Sequence, residues 1–327
     1  MSVEQIREHP EVIMDVLVPT TSTNKVYKEQ ALLDFAHGIR THGDNAVVVE
    51  NFDMPDLHQL ESNSVGVYYG ALKPSRLSYD QRVQVKQLMH HFYKNCVVLE
   101  TPLIDRTEPI NTEFRVGVNG YLRNNAKWAW HDIDQDRVKK FYKNRKFNID
   151  IEWSTDRGND ILLIMQNHDD LSTHGIDSFQ WTIDTIKKLQ LYSDRQIIVR
   201  SNPFHEKQET GRVLEFGEKL KRMKNVKFSY SGYKQPLQSI TEQLNDAWCV
   251  VCHSSGSSFD AVIKGIPVIC LDESCMAWDV CGHDLSSVEN PVKPNTVPWF
   301  EKIAMIQYSI DEFRSGECWS YIRTLCL

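Results

Sequence analysis

Short, almost wholly apolar runs alternate with longer segments of helical period along most of the chain. In the first half the runs are Val12 to Val18, Ala46 to Val49, Val65 to Tyr69 and Cys96 to Leu99. A helix is expected over Lys25 to Ile39, where Ala31, Leu32, Phe35, Ala36 and Ile39 share one face, and another over Tyr79 to Tyr93. The turn-rich Pro19 to Asn24 separates the first run from the first helix. Continuous apolar runs of this length suit strands covered on both faces, as in a parallel sheet with helical crossovers.

A second series follows the polar, Gly-containing segment Trp153 to Asp160. Strands are expected at Ile161 to Met165, Gln196 to Arg200, Val226 to Ser229, Ala247 to Cys252 and Pro267 to Leu271. Helices are expected between them at Ser178 to Leu191, Arg212 to Met223, Leu237 to Asn245 and Ser258 to Lys264. The pattern predicts α/β architecture with two Rossmann-like lobes of parallel sheet facing a central cleft. Residues 1–155 are expected to form a first lobe and 156–296 a second, on opposite sides of the cleft, where the ligands of such folds bind; 297–327 is expected to be a tail crossing back onto the first.

Composition narrows the class. At 327 residues, 41% hydrophobic and 25% charged, the chain can bury a core in each of two domains. It has no apolar run approaching ~18 residues. The polar start Met1 to Pro10, with Glu4, Arg7 and Glu8, lacks a leader's apolar region, which makes the cytoplasm, a host's if the chain is phage-encoded, the expected compartment. Eight cysteines suit reduced thiols more than a disulfide scaffold, and Cys249 and Cys252 fall inside a strand-like run with no second ligand pair at finger spacing. The net charge of -7 argues against a surface coated with phosphate contacts.

One stretch departs from that balance. Arg115 to Lys146 carries nine Lys or Arg against three Asp, with Trp128, Trp130, Phe141, Tyr142 and Phe147 within or beside it. It reads either as a solvated helix beside a packed aromatic loop or as a groove for a phosphate-bearing acceptor. In the second reading Arg115, Arg123, Lys127, Trp128 and Trp130 are the acceptor-binding residues.

Three strand ends carry candidate chemistry. After Ala247 to Cys252 comes His253-Ser254-Ser255-Gly256-Ser257-Ser258, then a helix bearing Asp260 and the turn Gly265-Ile266-Pro267. Small residues between a buried strand and a helix start bring backbone N–H groups and hydroxyls together, which is anion-binding chemistry or an ordinary serine-rich cap. Ile197 to Arg200 delivers Arg200 and then Ser201-Asn202-Pro203-Phe204-His205 to the carboxyl edge of the sheet, either for a diphosphate or as a surface turn. Ile161 to Met165 delivers Gln166, Asn167 and His168-Asp169-Asp170 in the same way.

The order of these segments, together with Asn119-Gly120-Tyr121-Leu122-Arg123 upstream, resembles the capsule-polysaccharide Kdo transferases and, more distantly, bacterial sialyltransferases. Those families show an acidic-Asp-Gly-Phe-Leu-Arg motif, a strand ending in Gln, a Lys/Arg-x-His-Pro turn and a Ser-Ser loop followed by Glu-Ala-Leu-x-x-Gly-x-Pro-Val. The likeness spans roughly residues 115–280, and Ala277-Trp278-Asp279 is similar to a later family motif. It implies a GT-B glycosyltransferase whose donor is bound by Gln166, Arg200, His205, His253, Ser254, Ser255, Gly256, Ser257, Ser258 and Asp260. The family's catalytic Asp falls on Asn119, and an amide can act neither as base nor as carboxylate nucleophile. The His of His-Pro falls on Asn202. Glu100, at the end of the run Cys96 to Leu99, is therefore the first choice for general base, with Asp105, Glu113 and Asp132 as alternatives.

The chain looks most like a phage-encoded branch of that superfamily. The resemblance implies transfer of a sugar, arabinose favoured, to 5-hydroxymethylcytosine in DNA. The donor would be a nucleotide-sugar, UDP-linked in preference to CMP-linked, with no cofactor and no metal. A capsule or lipid-linked saccharide acceptor is the alternative. A catalytically silent nucleotide- or sugar-binding module and a two-lobed sugar-nucleotide epimerase are the rivals of other classes.

Overall fold

The computed structural model describes residues 14–19, 26–49, 65–70, 86, 89, 91, 93–106, 112–143, 145–154, 158–167, 171–202, 210–230 and 239–327. The start Met1 to Pro10, most of the helix expected over Tyr79 to Tyr93, the turn 20–24, residues 155–157 of the polar segment, His168-Asp169-Asp170 and His205 lie outside them. The chain divides into two compact units. One comprises Met1–Tyr121, Asn125–Arg145 and Glu301–Leu327; the other comprises Leu122–Asn124 and Lys146–Phe300.

The first unit begins with β1 (Asp15–Pro19), α1 (Val26–Thr41), β2 (Asn45–Val49), β3 (Val65–Tyr69) and β4 (Asn95–Glu100). These strands pair in parallel, in the order β4-β3-β1-β2. The next strand, β5 (Glu113–Val118), runs antiparallel to β4, followed by α2 (Gln135–Tyr142). The sheet is therefore parallel-rich and mixed, where the sequence led us to expect parallel pairing throughout. The alternation that makes β5 is plain in its burial: Phe114, Val116 and Val118 are fully buried while Glu113 and Arg115 are half-buried.

The second unit is built from β6 (Asp160–Ile164), α3 (Ser178–Tyr192), β7 (Ile197–Arg200), α4 (Thr210–Leu220), β8 (Val226–Ser229), α5 (Ile240–Gln243), β9 (Ala247–Cys252), α6 (Ser257–Ile263) and β10 (Val268–Cys270). All five strands are parallel, in the order β10-β9-β6-β7-β8. Numbered within the unit this is the doubly wound order 3-2-1-4-5, whose connectivity reverses between β6 and β9. Ile161, Leu163, Ile197, Val199, Cys249 and Val251 are fully buried at the centre of its core. Cys252, three residues after Cys249 on an extended strand, points to the opposite face, so the C-x-x-C spacing does not make a pair.

The tail consists of α7 (Val297–Ile306), β11 (Gln307–Ser309), α8 (Ile310–Arg314) and α9 (Glu317–Cys326). β11 adds an antiparallel edge strand beside β5, giving the first sheet the order β11-β5-β4-β3-β1-β2. Phe313 stacks on Phe114 at 5.7 Å and meets Phe35 of α1 edge-on at 5.1 Å; Trp319 meets Phe35 at 6.0 Å. Aromatic pairs in these geometries add to the area they bury. From Glu301 on, the tail thus belongs to the first unit, with Phe313, Trp319 and Ile322 in its core. Among the described residues no helix is long and apolar enough to cross a membrane.

Candidate donor site

The second unit's strand order dictates where a ligand crevice forms. Where connectivity reverses, the crossovers leave on opposite faces of the sheet, and a gap opens beyond the carboxyl ends of the two strands concerned. Here those strands are β6 and β9, and the residues that follow them are Met165-Gln166-Asn167 and His253-Ser254-Ser255-Gly256.

Gln166, 7% exposed, joins the two loops. Its Oε1 accepts the Ser254 amide at 2.5 Å, and its Nε2 donates to the hydroxyls of Ser254 and Ser172, each at 3.1 Å. The Ser254 hydroxyl donates to the Ser172 carbonyl at 2.9 Å, which also receives the Ser274 hydroxyl at 3.4 Å. The Ser254 amide and hydroxyl therefore hold the loop in shape. Ser258 is likewise committed: it is fully buried and donates to the Ser255 carbonyl at 2.7 Å. Ser254, Ser255 and Ser257 are all half-exposed, but only the Ser254 hydroxyl is tied into the Gln166–Ser172 network; the Ser257 amide donates to Ser255 Oγ at 3.3 Å. Of the serine series, Ser255 and Ser257 can reach a ligand without breaking the loop. Gly256 and Asp260 are also half-exposed.

The Gly265-Ile266-Pro267 turn has a packing explanation. Gly265 has φ +71°, and a Cβ there would come within 2.4 Å of the Glu152 carbonyl oxygen. Its own carbonyl accepts the Ser154 amide at 2.7 Å. Only glycine allows this left-handed conformation and close approach together.

Beside the loop lies a histidine–carboxylate group, of which sequence reasoning named His253 but missed Asp272 and His174. His253, 6% exposed, places Nε2 at 3.7 Å from Asp272 Oδ2, and the exposed His174 places Nε2 at 3.6 Å from Asp272 Oδ1. Burial pushes the His253 pKa down, partly opposed by Asp272. Asp272 is held below the usual carboxylate range: burial acts to raise it, but the Ser274 hydroxyl and amide and the two imidazoles outweigh that. His174 sits at φ +51°, which fixes it in a tight turn after the short 3₁₀ segment Leu171–Thr173. Asp272 is the second residue after β10, so extending the carboxyl-edge search to that strand would have found it. Ser172 and His174 carry no comparable signal.

Arg200 ends β7, beside β6, and its Nη1 donates to Gln243 Oε1 at 2.6 Å; Gln243 Nε2 in turn donates to Ser229 Oγ at 2.5 Å. A cavity of about 890 Å³ runs along α3, and Trp181, His253, Leu271 and His283 are among its walls. The Trp181 and His253 rings meet edge-on at 5.8 Å.

The residues expected in the first unit do not assemble into one group. Glu100 and Asn119 lie at opposite ends of β4: Glu100 pairs in register with Arg115, whereas the Asn119 amide donates to the Cys96 carbonyl. Asn119 has φ +65°, and its side chain accepts the Cys96 amide at 2.7 Å and donates to Asn95 Oδ1 at 3.2 Å, so it locks the end of β5. Glu113 is tied up by Arg145 at 2.6 Å and Gln307 at 2.5 Å, and Asp105 by Arg145 at 2.8 Å. Glu100 is half-buried, with Oε1 accepting the Thr101 amide at 2.7 Å.

Part of the basic stretch has internal partners, while Lys139, Lys143 and Lys146 are exposed. Arg137, 3% exposed, donates to Glu312 at 2.5 Å and lies 4.1 Å from the Tyr308 ring centroid. Lys140 pairs with Glu317 at 2.5 Å, Lys139 with Asp136 at 3.1 Å and Arg123 with Asp279 at 2.7 Å. Lys127 donates to Asn95 Oδ1 and the Leu325 carbonyl, and Arg115 lies over the Tyr121 ring at 5.5 Å. Trp128 is 1% exposed and offers no open face for stacking; Trp130 has Lys302 over its ring at 5.5 Å.

All eight cysteines are reduced and buried, and burial pushes the Cys249 thiol up to about 12. Among the described residues no group of three or more His, Cys, Asp or Glu side chains is arranged to hold a metal ion.

No protein-family profile matches the chain, and no curated protein does. Among solved structures the chain is similar to the KpsC β-Kdo 2,7 transferase of Thermosulfurimonas dismutans, with TM-score 0.50 and 12% identity over 96% of this chain and 100% of that one. The KpsC β-Kdo 2,4 transferase of the same organism aligns with TM-score 0.46 and 16% identity over 98% and 99%. The UDP-GlcNAc 2-epimerase of Methanocaldococcus jannaschii aligns with TM-score 0.33 and 14% identity over 89% and 98%. The first of these likenesses, end to end in both chains, establishes the fold as a two-sheet α/β architecture of the GT-B kind.

Proposed function

We propose that this protein is a glycosyltransferase that uses a nucleotide-sugar, with the donor phosphate bound at the carboxyl ends of β6 and β9. The observation that carries this reading is the Gln166 bridge to Ser254 at the point where the 3-2-1-4-5 strand order reverses. A buried amide side chain spanning the two loops keeps the crevice's shape without a ligand, so the ordering cost is already met when the ligand arrives. Ser255 and Ser257 supply hydroxyls to the phosphate, Arg200 its positive charge and His253 a ring edge. The sugar–phosphate bond breaks with its electron pair leaving on the phosphate, and fixed dipoles and the guanidinium stabilise that charge. Glu100 is the proposed base on the first unit, accepting the acceptor hydroxyl's proton in an inverting reaction.

Arabinose transfer to hydroxymethylcytosine in DNA gains no support from the described residues: of the side chains expected to meet such an acceptor, Arg115, Arg123, Lys127 and Trp128 are each engaged or buried within the protein. A saccharide acceptor needs no such surface. The test is incubation with a panel of UDP- and CMP-sugars, scoring nucleotide release, followed by mass spectrometry of saccharide and hydroxymethylcytosine-DNA acceptors. A mass gain of one sugar on an acceptor is the expected outcome. No nucleotide release from any donor would contradict catalysis and favour a silent binding module.

A further inference from the structure

The polar network that holds the serine loop is buried almost throughout: Gln166, Ser172, His253, Ser258 and Ser274 all lie inside. Besides Ser255 and Ser257, it opens to solvent at Asp272 and His174, whose side chains are 24% and 52% exposed. His174 reaches the surface from a turn that is itself fixed to the loop, since the Ser172 carbonyl receives the Ser254 hydroxyl at 2.9 Å and the Ser274 hydroxyl at 3.4 Å. The Ile176 amide closes that turn on the Thr173 carbonyl at 3.0 Å, with His174 at φ +51° and Gly175 at φ +78° between them. Two consecutive residues of positive φ are ordinarily supplied by Gly, Asn or Asp. An imidazole here does not serve the backbone, and strain of this kind gathers at ligand clamps.

The charge of Asp272 gives that imidazole a task. Burial acts to raise the Asp272 carboxyl, yet the Ser274 hydroxyl and amide and the two facing imidazoles hold it below the usual range, so it is ionised. A bare carboxylate beside a phosphate site repels the ligand. His253 cannot answer that charge, because burial pushes it toward its neutral form. His174, with Nε2 at 3.6 Å from Asp272 Oδ1, is the other imidazole on the same carboxylate. Protonated, it screens Asp272 and has a second ring N–H to offer a ligand.

We propose that His174, protonated and held against Asp272, contacts the donor phosphate as a further residue of the donor site. The charge-assisted N–H···O bond holds the phosphate in the bound donor and strengthens as the sugar–phosphate bond breaks and charge grows on the phosphate oxygens. The assignment rests on the donor reading and adds to it a cation that no motif of the sequence marks.

The experiment is calorimetric titration of UDP and CMP into the full chain and its variants H174G and H174N. Glycine and asparagine both accept a positive φ, so neither substitution strains the turn. The expected result is an unfolding midpoint unchanged or raised in both variants, with nucleotide affinity about tenfold weaker. Added imidazole should restore part of the affinity of H174G, and H174G/D272N should bind more tightly than H174G because the unscreened carboxylate is gone. A role confined to holding the turn would lower the midpoint and leave binding unresponsive to imidazole, and that result overturns the assignment. Nucleotide binding by the wild type that both variants retain also overturns it, while the donor reading stands. Absence of nucleotide binding by the wild type removes the donor reading and the assignment together.

Discussion

Gln166 and Ser254, on loops that follow β6 and β9, are bound to each other across the point where the second sheet's connectivity reverses, with the Ser254 amide 2.5 Å from Gln166 Oε1. Replacing Gln166 with Met keeps the volume and removes both polar groups, leaving the Ser254 amide without its acceptor. A loss of about 1–3 kcal/mol is expected in denaturant unfolding, together with weaker nucleotide-sugar binding. Unchanged stability would mean that the bridge does not hold the loop.

Asp44 gives the first unit an acid-sensitive joint. It accepts the Met14 amide at 2.9 Å, the Trp319 indole N–H at 2.7 Å and Arg323 Nε at 2.7 Å, and so ties α9 to the start of β2. Burial acts to raise its pKa, but these donors hold it below the ordinary value of 3.8. A carboxyl depressed in the folded state contributes stability above its unfolded pKa and loses it as pH falls through the folded value. Urea midpoints measured from about pH 5 to about pH 3 should therefore fall more steeply for the wild type than for D44N. Parallel profiles would contradict the assignment.

Arg137 and Glu312 form a buried pair, with side chains 2% and 12% exposed. Removing one partner strands the other's charge, so R137A should lose about 3–5 kcal/mol. In R137M/E312Q both charges are gone, and much of that loss should be recovered. A double-mutant cycle by chemical denaturation reads the difference, and additive losses would show that the two side chains are not coupled.

The second sheet was legible because its strands are covered on both faces and read as unbroken apolar runs; Ala247–Cys252 and Val226–Ser229 fall where the sequence places them. β5 was not, although Phe114, Val116 and Val118 alternate correctly, because the charge of the stretch it opens dominated the reading. That charge misled for a physical reason: Glu312 and Glu317, which neutralise Arg137 and Lys140, lie far along the chain, on the tail. β11, at three residues, is too short to carry a pattern. At the candidate donor site the carboxyl-edge rule found Gln166, His253 and the serine loop. It could not say which hydroxyls the loop consumes: those of Ser254 and Ser258 are bound to the Ser172 and Ser255 carbonyls, and sequence does not encode such pairing in irregular backbone.

The phosphate site proposed here lies at the Ser255–Ser257 turn. Ser257 is half-exposed at the first position of α6, where an aspartate is well tolerated by the helix but repels an anion. Calorimetric titration of wild type and S257D with UDP, CMP and their sugars tests it most directly. We predict that the wild type binds at least one of these nucleotides at a single site and that S257D, with an unchanged unfolding midpoint, loses about tenfold or more in affinity. Binding that S257D leaves intact, or no binding of any nucleotide to the wild type, would contradict it.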